Sequence, residues 1–144
     1  MQINYPKILK KNLINFFKDV IHEIEKNGLK EGNHLYITFK TNYVDVKIPS
    51  WLKKKFPDVI TIVIQHEYWN LKILENKFEI LLSFNGSKTN LTIPYKSIIS
   101  FADPYANFGL KIGNEDNSSI IKKKKRSIDN KIFKKKNNVI DFTK

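Results

Sequence analysis

Between residues 6 and 27 apolar side chains recur every three or four positions, at Leu9, Leu13, Phe16, Val20 and Ile24, a spacing that predicts an amphipathic helix. Pro6 suits its first turn and Gly28 its stop. A second row, Ile14, Phe17 and Ile21, makes the apolar surface wider than one docking face needs. Two uses fit that width: burial against the same helix of a second copy, or deeper sinking into the chain's own core.

From His34 the period falls to two. HLYITFK sets Leu35, Ile37 and Phe39 on one side, and Val44, Val46 and Ile48 are predicted to return as its hairpin partner after a Thr41-Asn42 turn. Further strands are predicted at TIVIQ (61–65), WNLKIL (69–74), KFEILLSF (77–84) and TNLTIPY (89–95), and a last short one through Phe108, Leu110 and Ile112. Glu75-Asn76 and Asn85-Gly86-Ser87 supply turns between them. Trp69 is assigned to the core. The class is α+β and mostly β: an N-terminal helix, then two small antiparallel sheets packed as a sandwich or partly open barrel.

Near Gly113 the pattern stops. Residues 113–137 combine a lysine block, Lys122 to Lys125, with Asn, Ser and scattered apolar residues, and are predicted to form a flexible linker after a domain of residues 1–112. The chain then ends in NNVIDFTK, where Val139, Ile140 and Phe142 cluster at the tip of a tail that its composition predicts to be disordered and to have no structural use for them. Such an end reads as a segment for another protein to bind.

Composition narrows the classes. The 144 residues, 41% hydrophobic, suffice for one ordinary core, and the absence of cysteine excludes disulfides, thiolate nucleophiles and Cys-ligated zinc. No run nears the roughly 18 apolar residues of a membrane span, and the N-terminus lacks a signal peptide's apolar stretch, so a soluble, cytoplasmic protein is expected. The net charge is +12; residues 1–112 hold 16 basic and 10 acidic residues, the remainder 10 and 4, so half the excess lies in the tail. Nearly all of it is lysine, Arg126 being the only arginine, whereas base-edge and bidentate phosphate recognition favour guanidinium. A small basic β-barrel RNA-binding protein remains the alternative reading.

No catalytic constellation emerges. His22, His34 and His66 fall on different elements without metal-ligand spacing, and Asp45, Asp58, Glu67, Glu75, Glu79 and Asp103 occur singly. The five glycines form no phosphate loop or nucleophile elbow. Neither an enzyme nor a cofactor or metal is expected. A β domain, a wide-faced helix and a sticky terminus are instead the parts of a binding protein that holds one ligand on its body and another on its tail.

The succession HLYITF, IPSWLKKKFP, TIVIQHEYWNL, LLSFNG, LTIPYKSIISFADP and FGLKI resembles the SspB (stringent starvation protein B) family in its alphaproteobacterial form, over about residues 5–112 and again at the terminus. The resemblance implies an SH3-like body and a specificity-enhancing adaptor of the ClpXP protease that binds ssrA-tagged proteins. It implies a homodimer through helix 6–27, on Leu9, Leu13, Phe16, Phe17, Val20, Ile21 and Ile24. It further implies that the segment 138–144, through Val139, Ile140, Phe142 and Lys144, docks on the N-terminal zinc-binding domain of ClpX. By the same resemblance the tag lies between the sheets, on Leu82, Ser83, Phe84, Asn85 and Gly86 with Ile48, Trp51, Ile64, Gln65, His66 and Phe101. Asn70 and Asn85 stand where the family commonly has Asp and Gly, and the lysine-rich tether contrasts with the family's polar or acidic linkers, which leaves tag preference open.

Overall fold

A computed structural model describes residues 2–30 and 32–112. The first helix, α1 (Tyr5–Asn27), starts where Asn4 Oδ1 accepts the Lys7 amide at 3.1 Å, with Pro6 in the first turn. It stops at Gly28, whose φ of 75° lets its amide return to the Ile24 carbonyl at 2.7 Å. The second apolar row turns inward: Phe17 and Ile21 are buried in the chain's own core together with Ile24 of the first row, flanked by half-buried Leu13, Ile14 and Val20. Phe17 sits at the centre of an aromatic cluster, 5.2 Å from Phe101, 5.7 Å from Phe78 and 6.3 Å from Tyr95 between ring centroids. Leu9 and Phe16, from the first row, stay substantially exposed.

Among the described residues, seven strands follow in two antiparallel sheets. The larger contains β1 (Leu35–Lys40), β2 (Val59–Ile64), β6 (Ile98–Asp103) and β7 (Phe108–Lys111), in the order β2-β1-β6-β7. The smaller is a meander of β3 (Tyr68–Ile73), β4 (Lys77–Phe84) and β5 (Ser87–Pro94). Their inner faces, Leu35, Ile37, Phe39, Ile60, Ile62 and Ile64 against Phe78, Ile80, Leu82, Leu91 and Ile93, close the core beneath α1.

The β4–β5 hairpin has the two-residue turn its sequence demands. Phe84 pairs with Ser87, and Asn85 and Gly86 take φ of 53° and 82°, the primed geometry that matches strand twist. At the opposite end of β5, the 3₁₀ turn Tyr95–Ser97 buries Tyr95 with its hydroxyl donating to the Leu74 carbonyl at 2.8 Å. Burial, with Glu25 nearby, pushes the Tyr95 pKa up to about 12. Lys18 of α1 lies 5.2 Å over the same ring and donates to the Glu75 carbonyl, tying helix to sheet.

Two expectations are corrected. Val44, Val46 and Ile48 do not form a hairpin strand: β1 pairs on one side with β2, in the register Leu35 to Ile64, and on the other with β6, so no edge of it is free. The segment instead turns, with Asp45 at φ 74°, and its backbone pairs with a strand where Lys47 and Thr92 exchange two 3.0 Å hydrogen bonds, while Val46 and Ile48 pack against the core. Immediately after it, IPSWLKKKFP contains a helix the pattern did not reveal, α2 (Ser50–Lys55), anchored by buried Leu52.

Trp69 is the second. It pairs with Leu81, whose neighbours Ile80 and Leu82 point into the core, so both Trp69 and Leu81 face out, and Lys88 Nζ caps the indole at 4.3 Å. A bulge at Asn70, φ 54°, inserts an extra residue before the Lys72–Glu79 pair and turns Leu71 and Ile73 back inward. Alternation alone puts 69, 71 and 73 on one face; the bulge is why it misplaces the first of them.

Candidate functional site

Strand β2 ends the four-stranded sheet, so one of its edges has no partner strand among the described residues. Along that edge lies an open groove of about 800 Å³. Val59, Ile60, Thr61 and Val63 of β2 form its floor. One wall is α2 with the residue after it, supplying Trp51, Leu52, Lys55 and Phe56; the other is the end of β4 and its turn, with Leu82, Ser83, Phe84 and Asn85. Gln65, His66 and Glu67, between β2 and β3, close the far end.

Each wall is fixed from behind. Leu52 and Leu82 are buried, so α2 and β4 hold their positions through the core while presenting neighbouring side chains to the groove. Thr41 reinforces the α2 side, its hydroxyl donating to the Phe56 carbonyl at 2.6 Å and its amide to Asp58 O. Trp51, 44% exposed, meets Phe84 edge-on across the mouth, their centroids 6.3 Å apart at 79°. Thr61 exchanges a 2.8 Å hydroxyl contact with Thr38 of β1.

The cavity therefore offers an apolar and aromatic channel beside unpaired strand edge, with polar groups at both ends. An extended segment laid along β2 satisfies these features together: edge amides and carbonyls meet its backbone, and the walls receive alternate side chains. Among the described residues, every buried side-chain nitrogen or oxygen has a hydrogen-bond partner, and no cluster of three or more His, Asp or Glu is placed to hold a metal ion.

Of the residues selected from sequence, Trp51, Gln65, His66, Leu82, Ser83, Phe84 and Asn85 line this groove. Gly86 is the next residue in the exposed turn and Ile48 is half-buried against the core. Ile64 and Phe101 are in the core itself, Phe101 on the α1 side, 6.2 Å from Phe16 and 6.0 Å from Phe108. Leu52, Lys55, Phe56, Val59, Ile60, Thr61, Val63 and Glu67 line the groove without having been singled out. The alternation of Ile60 and Ile62 with Thr61 and Val63 was the available signal for the β2 contribution; α2, of six residues, is too short to announce its faces.

A family model described as SspB, Stringent starvation protein B, matches residues 8–139. The chain belongs to the SspB family. Membership suggests an adaptor role in ClpXP proteolysis, in which the protein brings substrate to a partner enzyme. The SspB match takes in all but the first three residues of α1, both sheets and the groove, and continues into the basic segment beyond. No curated protein matches the chain. Among the described residues, no helix is long and apolar enough to cross a membrane. The linker 113–137 and the terminal Val139, Ile140, Phe142 and Lys144 lie outside the described residues.

Proposed function

We propose that this SspB protein is a cytoplasmic, specificity-enhancing adaptor that holds ssrA-tagged proteins by their tag and delivers them to ClpXP. The carrying observation is the groove beside β2. It combines an unpaired strand edge with the exposed Trp51–Phe84 pair, and its volume suits a short extended peptide. Lacking a catalytic constellation in its sequence, the chain leaves unfolding and cleavage to the partner. Val139, Ile140 and Phe142, with Lys144, are the segment that docks on the N-terminal zinc-binding domain of ClpX, joined to the body by residues 113–137. Tethering makes capture of substrate by the protease intramolecular, at an effective concentration that reaches about millimolar for short linkers.

The exposed row of α1 supports a homodimer. Phe17, Ile21 and Ile24 serve the chain's own core, but Ile8, Leu9 and Phe16 are exposed, and Phe16 stacks on exposed Phe108 of β7 at 5.9 Å and 11°. A second copy of this apolar face is the partner that covers it.

The test is ClpXP degradation of an ssrA-tagged substrate at subsaturating concentration. Full-length chain is expected to accelerate turnover, whereas a variant lacking residues 139–144 binds the tag without acceleration. Absence of tag binding by either form overturns the groove assignment.

A further inference from the structure

The groove is electrically polarised along its length. Lys55 projects into it from the last turn of α2, and Lys53 and Lys54 beside it are exposed. No carboxylate forms an ion pair with these three lysines among the described residues. Lys55 itself is 6.0 Å from the neighbouring Phe56 ring. Asp58 is close in sequence but outside the groove lining, and the groove's one carboxylate, Glu67, closes the other end. Lys55 precedes β2 in the chain and Glu67 follows it, and a strand of six residues spans roughly 20 Å, well beyond the Debye length of ~8 Å at physiological salt. They therefore act on different parts of any bound peptide.

Spacing sharpens the charge argument. Trp51 and Lys55 are four apart on α2, and residues so related share a face with Cβ atoms roughly 5–6 Å apart. In an extended peptide, side chains two residues apart share a face at roughly 6.6 Å, and adjacent ones point to opposite faces. The two rulers agree. We propose that the groove selects extended peptides in which an aromatic or large apolar residue, seated against Trp51 and Phe84, is followed or preceded at a distance of two residues by a carboxylate seated at Lys55. Lys53 and Lys54 add longer-range attraction. This rests on the peptide-binding function proposed above and names the chemistry of its ligand.

Lysines in a last helical turn also complement the helix dipole. That role involves no peptide, so the experiment reads peptide preference. Fluorescein-labelled decapeptides carrying one Phe, with Glu or Gln placed either adjacent to it or two residues away on either side, are titrated with full-length chain and followed by anisotropy. At about 50 mM salt the better of the two peptides with Glu two residues away should bind roughly three- to tenfold more tightly than its Gln counterpart. Adjacent Glu should give less than a twofold gain, and 0.5 M salt should abolish the difference. In a Lys53→Gln/Lys54→Gln/Lys55→Gln variant the Glu-to-Gln ratio should fall to about one, whereas Lys72→Gln/Lys96→Gln, away from the groove, should preserve it.

Peptides that bind with no Glu preference, or a preference that survives the triple substitution, overturn the inference and leave the groove as a peptide site. Failure of every peptide to bind overturns both. Tighter binding of a single-stranded oligonucleotide, lost in the triple variant, assigns these lysines to nucleic acid and overturns the inference as well.

Discussion

Trp51 and Phe84 come from elements that share no backbone pairing, yet their rings meet edge to face at 6.3 Å and bridge the mouth of the groove. Trp51 is 44% exposed, so little of the core depends on it, whereas a peptide in the groove would bury much of what remains. Trp51→Ala is therefore expected to weaken tag binding by about tenfold or more, measured by peptide anisotropy, while lowering the unfolding free energy by no more than about 1 kcal/mol. A large loss of stability with unchanged affinity would falsify the assignment of Trp51 to the groove wall.

The two rows of α1 predict opposite phenotypes one residue apart. Phe17, fully buried among Phe78, Tyr95 and Phe101, should cost about 3–5 kcal/mol as Phe17→Ala, seen as a collapse of the denaturant midpoint. Leu9→Glu with Phe16→Glu should leave circular dichroism and the core intact but shift the sedimentation coefficient from dimer to monomer. If the wild type already sediments as a monomer at micromolar concentration, the homodimer is excluded.

Tyr95 gives a pH signature. Its folded pKa, raised by burial and by Glu25 to about 12 from 10.0, means that the folded chain holds the hydroxyl proton more tightly than the unfolded one. The contribution is fully present below pH 10 and is lost as pH rises towards 12, on the order of 2 kcal/mol in all. Urea midpoints across that interval should fall steeply for the wild type and less steeply for Tyr95→Phe. Tyr36 and Tyr68, also raised by burial, supply the residual slope.

Gly86 separates conformational cost from steric cost. A Cβ there meets nothing within 4 Å, but φ is 82°, where L-residues are strained. Gly86→Ala should destabilise by about 1 kcal/mol, read from thermal unfolding. It should also reduce peptide affinity, because the turn it strains presents Asn85 to the groove.

Much of this architecture was legible where local rules act alone. The helix at 6–27 and KFEILLSF at 77–84 declare themselves by period, and Asn85-Gly86 by turn chemistry. What escaped was decided at a distance. The period-two residues Val44, Val46 and Ile48 suit a strand, but β2 and β6 already hold both edges of β1. Strand β6 is central in its sheet and mostly buried, so IISFAD lacks the alternation that marks a half-buried strand. For the groove, sequence could name residues on β4 and at Trp51, whereas the contribution of Val59, Thr61 and Val63 depends on β2 being an edge, a property of the whole sheet order.

The last described residue, Ile112, is fully buried, and its amide is bonded to the Ile99 carbonyl at 2.8 Å. It leads out of β7, while the groove follows β2 at the opposite margin, with β1 and β6 between. A mechanical load applied to the chain beyond Ile112, such as a motor would exert through a tethered terminus, is thus taken up first by the four residues of β7. The strand proposed to carry the ligand, β2, is the last in its sheet to feel the pull.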